Sequence, residues 1–244
     1  MSGDLASRIL ELKKEVGAVI LAHNYQLPEV QDVADFVGDS LELSLKALEV
    51  GAKYIVFAGV DFMAEQAVIL NENSIVLHPD TGAQCPMAQM ITVDDVVEAR
   101  KRYPGAPVVM YVNSPVAVKA YADYIATSAN AVKIVSALES DTVIFGPDRH
   151  LAEYVAEKTG KNVVPVPSGG HCPVHVKFCP RAVEELKKVY RGAVFIAHPE
   201  CPREVRSLAD FIGSTSQMVQ YVRESSSRVF LVGTEIGIIY RMAR

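Results

Sequence analysis

The chain has no long apolar run and no cluster of basic residues. Its longest apolar segments, such as residues 18–22, are far shorter than the roughly 20 residues that cross a bilayer. The net charge is −5 with a pI near 5.7, so nucleic acid is not an expected partner. The N-terminal segment has the pattern of an amphipathic helix and lacks the apolar core of a signal peptide. These absences predict a cytoplasmic protein with neither a membrane nor nucleic acid as its partner.

Cysteine is scarce, and a dinucleotide-binding fingerprint is missing. In a cytoplasmic chain, four cysteines more often bind metal, take part in catalysis or pack in the core than form disulfides. Gly59, Gly146 and Gly233 each follow an apolar run, but their surroundings do not match G-x-G-x-x-G. These glycines therefore indicate tight turns between a strand and a helix, and NAD is not inferred as a cofactor.

A seven-residue motif occurs three times at a nearly constant interval. It reads ADFVGDS from Ala34, ADYIATS from Ala122 and ADFIGST from Ala209, with spacings of 88 and 87 residues. Cys85 and Cys172 are also 87 residues apart. Self-similarity at a fixed period is typical of an architecture built from repeated units.

Apolar runs of strand length alternate with helical patterns throughout the chain, which favours parallel sheets covered by helices on both faces. The predicted fold is α/β, with three homologous parallel-sheet α/β sandwich units related by a pseudo-threefold axis around a central active site. The predicted units span residues 1–84, 85–171 and 172–244. The period places a third cysteine near position 259, so the third unit is predicted to lack its final strand and helices.

Polar residues follow the predicted strands at the points where ligands bind in open parallel sheets. We expect the pseudo-threefold axis to bring them to one centre. These residues are His23, Tyr25, Ser40, Cys85, Tyr111, Asn113, Ser128, Cys172, His198, Glu200 and Thr215.

One cysteine per unit would bring three thiolates together, one fewer than the usual set of four. Two chemistries fit such a set, a 4Fe-4S cluster with one open iron and a zinc ion with a bound water. Cys179 and Cys201 have no partner in the period and are predicted to be small buried hydrophobes. His171 and His175 flank Cys172 without counterparts around Cys85, which favours a packing or surface role for both.

The hydroxyl residues and the histidines each allow a structural and a functional interpretation. Ser40, Ser128 and Thr215 precede or begin predicted helices, where they could act as N-caps, as anion ligands, or as both. His23 and His198 are equivalent by period, and together with the nearby tyrosines and Glu200 they indicate acid–base chemistry. In this interpretation Glu200 is the candidate general base.

Seven stretches spread along the whole chain resemble the quinolinate synthase family. They are AHNYQ from Ala22, GDS from Gly38, GVDFMAE from Gly59, YVNS from Tyr111, TSAN from Thr127, GHC from Gly170 and HPEC from His198. The resemblance implies an enzyme of NAD biosynthesis that condenses iminoaspartate with dihydroxyacetone phosphate to quinolinate, releasing phosphate and water. It also implies a functional link to the enzyme that supplies iminoaspartate.

The resemblance further implies a 4Fe-4S cluster held by one cysteine from each of three domains, whose open iron acts as a Lewis acid. Cys85 and Cys172 match two of these ligands, and the third has no counterpart in the chain. The implied catalytic residues are Glu200, His198, Tyr25, Tyr111 and His23. The implied substrate-binding residues are His23, Ser40, Tyr111, Asn113, Ser128, His198, Glu200 and Thr215.

Two other functions compete with this one. The first is a zinc-dependent lyase or hydrolase on the same scaffold, and the second is a non-enzymatic iron–sulfur sensor. The oligomeric state expected for the enzyme is a monomer or a homodimer.

Overall fold

The computed structural model describes residues 2–244, and strands alternate with helices along this range. Every strand pair is parallel, which confirms the predicted α/β class with parallel sheets. The strands are β1 (Ala18–His23), β2 (Phe36–Gly38), β3 (Tyr54–Ala58), β4 (Ile75–Leu77), β5 (Val108–Tyr111), β6 (Tyr124–Ala126), β7 (Thr142–Gly146), β8 (Asn162–Pro165), β9 (Val194–Ala197), β10 (Phe211–Ile212) and β11 (Phe230–Gly233).

The strands form three sheets that share one order. The first sheet has the order β2-β1-β3-β4, the second β6-β5-β7-β8 and the third β10-β9-β11. In each sheet the strand that comes first in the sequence therefore lies between the second and the third. Within residues 2–244 the third sheet contains no strand equivalent to β4 or β8.

The helices begin and end where local chemistry predicts. A reciprocal pair of hydrogen bonds between Thr92 and Asp95 caps α5, and α8 ends at Gly160 in the left-handed conformation at φ 72°. The helices are α1 (Ser2–Val16), α2 (Pro28–Val33), α3 (Ser40–Glu49), α4 (Asp61–Leu70), α5 (Val93–Arg102), α6 (Val116–Lys119), α7 (Ala131–Ala137), α8 (Arg149–Thr159), α9 (Pro180–Val189), α10 (Arg203–Arg206), α11 (Thr215–Glu224) and α12 (Ile238–Met242), with 3-10 turns at Ala88–Met90 and His175–Lys177.

The chain divides into two compact units. The first unit comprises the residues up to Cys85 together with Ile236–Arg244, and the second comprises Pro86–Glu235. The first sheet lies in the first unit, and the second and third sheets lie in the second unit. The division into three repeats at residues 84 and 171 stays a prediction.

Apolar side chains of the strands build the core of the second unit. Val108 and Met110 of β5 pack with Ile144 of β7 and Val96 of α5. All four residues of β5 are buried, as expected for a parallel strand covered on both faces. Burial of this kind contributes about 1.5–3 kcal/mol for each large side chain, so these strands hold the carboxyl-end loops in place.

Within residues 2–244, every helix is too short or too polar to traverse a lipid bilayer.

Candidate active site

The second unit gathers predicted site residues at the carboxyl ends of its strands. Tyr111 is the last residue of β5, Ser128 follows β6, and His198 and Glu200 follow β9. Although 89 residues separate Tyr111 from Glu200, their side chains are directly hydrogen bonded. The structure therefore confirms that the ends of different strands in this unit meet at one place.

Glu200 is the centre of this cluster and is buried. The Tyr111 hydroxyl donates a hydrogen bond of 2.6 Å to Oε1 of Glu200. Oε2 of Glu200 lies 2.9 Å from Nδ1 of His175 and 3.8 Å from Nδ1 of His198. A carboxylate in contact with a phenol and two imidazoles is a typical arrangement for moving protons.

Charge and burial set the protonation of the two central groups. Burial alone would raise the pKa of Glu200, but the neighbouring His198 and His175 outweigh it and hold that pKa well below its usual range. Burial, and then the charge of Glu200, raise the pKa of Tyr111 well above its ordinary value. Glu200 is therefore ionised and Tyr111 keeps its proton, so Tyr111 is the donor of their hydrogen bond and Glu200 is the acceptor.

His175 belongs to this cluster, and the prediction of a packing or surface role did not identify it as a site residue. Its side chain is buried, with Nε2 2.8 Å from Oγ1 of Thr234, and its ring stacks on that of His198 at a centroid distance of 4.7 Å. The sequence signal was its position three residues after Cys172. This signal was discounted because Ala88 occupies the matching position after Cys85. The two repeats differ in chemistry at this position.

The predicted N-capping role of the hydroxyl residues is wrong. Asp39 caps α3 and Ser214 caps α11, so Ser40 and Thr215 are the first residues inside their helices. Asn130 occupies the N-cap position of α7, two residues beyond Ser128. An N-cap side chain typically reaches backbone N–H groups two or three positions ahead, and Asp39 and Ser214 fulfil that geometry. Oδ1 of Asn130 instead accepts from the N–H of Thr127.

Ser128 contacts the Glu200 cluster, and Asn113 follows one of the strands that contribute to it. Oγ of Ser128 is 3.2 Å from Nε2 of His198, which adds Ser128 to the polar cluster. Asn113 comes two residues after the end of β5, and its Oδ1 is buried without a hydrogen-bond partner within residues 2–244. Since buried polar atoms are normally satisfied, the lone Oδ1 of Asn113 indicates a position where a ligand would bind.

The remaining predicted residues belong to the first unit. His23 ends β1, and Tyr25 follows it with an edge-on ring contact at a centroid distance of 4.7 Å. The backbone N–H of Tyr25 donates to Nδ1 of His23 at 3.2 Å, which fixes the relative orientation of the two residues. Ser40 begins α3 directly after β2, and Cys85 is half-buried in the loop that follows β4.

The four cysteines have different environments. Cys172 is half-buried, and its Sγ lies 3.1 Å from Nδ1 of His175. Cys201 is buried as predicted, and its thiol donates to the carbonyl of Gly233 at 3.3 Å. Cys179 is exposed at the N-cap position of α9, so the prediction of burial is wrong for that residue.

The residues around Cys172 fit a metal centre. Burial, and then the charge of Glu200, raise the pKa of the Cys172 thiol, so a cation beside Sγ would be needed to favour the thiolate. Ligand atoms of Cys172, His175 and Glu200 all lie within 4.8 Å of one another. Thiolate, imidazole and carboxylate are the groups that bind transition metals in proteins.

Comparison with known proteins assigns the chain to a family. The family model described as "NadA: Quinolinate synthetase A protein" matches residues 7–244. A relative named quinolinate synthase from Thermotoga maritima is 54% identical over 240 residues, covering 98% of this chain and 80% of that protein. A second relative of that name, from Pyrococcus abyssi, is 56% identical over 241 residues, covering 99% of this chain and 80% of the relative. Both relatives are longer than this chain. The chain belongs to the quinolinate synthetase A family.

Proposed function

We propose that the chain is a quinolinate synthase that condenses iminoaspartate with dihydroxyacetone phosphate and releases phosphate and water. The observation that carries this proposal is the buried carboxylate of Glu200, which contacts Tyr111 and His175 beside the half-buried Cys172. Condensation, dehydration and ring closure all require protons to leave carbon or nitrogen and to reach departing oxygen. The Glu200 cluster supplies an acceptor and a donor for those transfers.

Glu200 is the base in this proposal. Its low pKa keeps Glu200 ionised, because the two neighbouring histidines stabilise its negative charge. In this ionised form Glu200 can accept a proton from the substrate. Tyr111 remains protonated and donates a hydrogen bond to Oε1, which orients the carboxylate. His198 contacts Ser128 through Nε2 and lies near Glu200 through Nδ1, so it connects the base with a hydroxyl at the site.

Hydroxyl and amide groups would bind the anionic parts of the substrates. Both substrates carry negative charge, as carboxylates or as a phosphate. Ser40 and Thr215 are the first residues of ten-residue helices, where free backbone N–H groups and the helix dipole favour anions. Asn113 offers the N–H donors of its half-buried side-chain amide, and Ser128 offers its hydroxyl. We propose that these residues, with His23 and Tyr25, form the substrate pocket.

Cys85 and Cys172 would hold a 4Fe-4S cluster together with a third ligand. When bound, such a cluster supplies an open iron that acts as a Lewis acid on a substrate oxygen or nitrogen. The chain contributes Cys172 from a loop whose neighbours His175 and Glu200 are buried, and Cys85 from the loop after β4. The other two cysteines do not fit this role, because Cys201 is bonded in the core and Cys179 is exposed.

A zinc-dependent lyase or hydrolase is the second candidate function, since the cysteine, histidine and carboxylate atoms around Cys172 would also suit zinc. Metal analysis of protein purified without oxygen distinguishes the zinc enzyme from the proposed iron–sulfur enzyme. About four iron atoms with matching sulfide per chain support the cluster, whereas a single zinc contradicts it. Formation of quinolinate from the two substrates separates either enzyme from a non-enzymatic iron–sulfur sensor.

The working context of the enzyme is part of the same proposal. We place it in the cytoplasm, as a monomer or homodimer built from repeats at residues 1–84, 85–171 and 172–244. There it would receive iminoaspartate from the enzyme that forms it. Fractionation and the mass of the purified protein in solution test the location and the oligomeric state.

A further inference from the structure

Asp148 is a fully buried carboxylate that the proposed chemistry does not use. It follows Gly146 and Pro147 at the end of β7 and is the N-cap residue of α8. Its Oδ1 accepts a hydrogen bond of 2.6 Å from the backbone N–H of Leu151, which is the capping bond. Its Oδ2 accepts a second bond of 2.9 Å from the backbone N–H of Cys172, which lies 24 residues further along the chain.

The loop that ends at Cys172 is closely packed against the turn that contains Asp148. The N–H of Arg149 donates to the carbonyl of Gly170 at 3.0 Å. A Cβ atom on Gly170 would lie only 2.0 Å from the carbonyl oxygen of Pro147, so only glycine allows this approach. Several contacts therefore join the two segments. Among them, the hydrogen bond from Cys172 to Asp148 is the one that involves the backbone of the cysteine.

The same spacing occurs in the first unit. Asp61 follows Gly59 by two residues, as Asp148 follows Gly146, and Cys85 comes 24 residues after Asp61. The N–H of Asp61 donates to the carbonyl of Ala83 at 2.9 Å, and Ala83 is the residue that corresponds to Gly170 by the period of 87. In the third repeat Glu235 occupies the position of the acidic residue.

We propose that Asp148 is a positioning residue that fixes the backbone of Cys172. Asp61 differs, because it lies inside α4 and its Oδ1 accepts from the N–H of Phe62. The inference rests on the proposed function, because it gives Cys172 the role of a cluster ligand. A carboxylate suits the task, since one oxygen caps the helix while the other holds the cysteine loop. Ligand loops that are fixed by such outer contacts lose less freedom when the metal binds.

The test uses Asp148→Asn in the metal-free protein. Asparagine is about as good an N-cap as aspartate, but its amide nitrogen cannot accept the N–H of Cys172. The rate at which iodoacetamide modifies each cysteine is measured by mass spectrometry. We expect the rate at Cys172 to rise about fivefold to tenfold relative to that at buried Cys201, as loss of one buried hydrogen bond implies.

Two further variants make the outcome decisive. Asp148→Ala removes both acceptors, so it must accelerate Cys172 even if the asparagine amide turns its oxygen toward the loop. Thr92→Ala removes the cap of α5, which carries no site residue, and should lower the melting temperature without changing the Cys172 rate. If neither Asp148 variant accelerates modification of Cys172 relative to Cys201, the positioning role is overturned.

A second measurement uses protein reconstituted with iron and sulfide without oxygen. The Asp148→Asn variant should release iron to a chelator about tenfold faster than the unchanged protein, as loss of a ligand-supporting contact implies. Equal rates of release contradict the proposal. If the unchanged protein takes up no iron, the proposed function fails, whereas the iodoacetamide measurement still decides whether Asp148 fixes Cys172.

Discussion

At Glu200, burial and charge act in opposite directions on one carboxyl group. Burial favours the protonated form, but His198 and His175 favour the ionised form and prevail. Asp148, buried in the same unit, has a pKa raised well above its ordinary range by burial and by the charge of Glu200. The two environments therefore drive the pKa values of these two buried carboxyl groups in opposite directions.

Glu200→Gln should abolish turnover while leaving the metal content unchanged. Glutamine fills the same volume but cannot accept a proton, and loss of a positioned base lowers kcat by about 10²–10⁴-fold. The measurement is quinolinate formation, with iron and sulfide content determined on the same sample. If the glutamine variant turns over at the rate of the unchanged protein, Glu200 is not the base.

Tyr111→Phe tests the donor half of the pair. The substitution removes the 2.6 Å hydrogen bond to a charged carboxylate, and such bonds contribute about 1.5–3 kcal/mol. We expect kcat to fall by about 10- to 100-fold, because a carboxylate that is not held in one orientation is less often placed to accept the proton. Asp148 and Glu200 remain in place, so melting temperature and metal content serve as controls. A change confined to the melting temperature would show that Tyr111 only supports the fold.

His150 makes the folded protein sensitive to acid. Burial, followed by the charges of Arg149 and Arg206, lowers the pKa of His150 from 6.5 to about 4. Between these two values the unfolded chain binds a proton that the folded chain does not, so the free energy of unfolding falls as the pH drops through this window. His150→Gln should therefore lose less melting temperature between pH 7 and pH 5 than the unchanged protein. Equal losses would contradict the lowered pKa.

At the scale of elements, α10 fixes the loop that carries Glu200. Its last residue, Arg206, is only 2% exposed and donates to the carbonyls of Cys201 at 2.8 Å and His150 at 3.0 Å. The other guanidinium nitrogen contacts Glu153 and Glu157 of α8, each at 3.2 Å. One buried side chain thus joins α8 to the segment on both sides of Pro202.

Arg206→Met should destabilise the protein strongly. It leaves several buried carbonyl groups without a donor, and each such group costs about 1–3 kcal/mol. Arg203→Met is the matched control, because Arg203 also contacts Glu157 but its side chain is 66% exposed. Exposed pairs contribute about 0–1 kcal/mol. Urea unfolding of both variants gives the comparison, and equal free energies would contradict the importance of burial.

The elements were largely predictable from the sequence, whereas contacts between elements were not. Apolar runs such as Val108–Met110 identify buried strands, and Gly160 identifies a helix end, because both depend on local properties. The period of the repeat also predicted three sheets of one type. The N-caps were misplaced by a residue or two, since the capping geometry depends on where each backbone turns.

His175 shows why part of the site was not predictable. Repetition indicated which positions are equivalent, and equivalence favoured Cys172 and His198 while it argued against His175. The contact of His175 with Glu200 depends on a 3-10 turn that brings residues 25 positions apart into hydrogen-bond distance. When a site residue is present in a single copy of the repeat, the period of the sequence gives no signal for it.

At the scale of the whole molecule, the C-terminal residues of the chain pack with its N-terminal residues. Residues Ile236–Arg244 belong to the first unit, where Nη1 of Arg241 donates to Oδ1 of Asn24 at 2.6 Å and to the carbonyl of Val37. Gln31 adds to this contact, since its side-chain amide donates to Gly237 at 3.2 Å and to Gln26 at 2.8 Å. More than 200 residues separate Arg241 from Asn24 and Gln31 from Gly237 in sequence.

Arg241→Ala should loosen the loop that follows β1. Asn24 is fully buried between two predicted pocket residues, His23 and Tyr25, and hydrogen bonds to charged groups contribute about 1.5–3 kcal/mol. We expect faster hydrogen exchange of backbone amides in residues 24–38 and a lower turnover with unchanged metal content. The measurement is exchange followed by mass spectrometry, which resolves the first unit from the second.

Arg244→Ala is the matched control for this prediction. Arg244 contacts Asp32 at 2.7 Å, but both side chains are well exposed, at 62% and 45%. An exposed ion pair of this kind contributes little to stability, so exchange in residues 24–38 should stay close to that of the unchanged protein. Equal exchange in the two variants would contradict the prediction that Arg241 holds the loop after β1. Faster exchange in Arg241→Ala alone would show that the end of the chain holds the His23–Tyr25 loop in place.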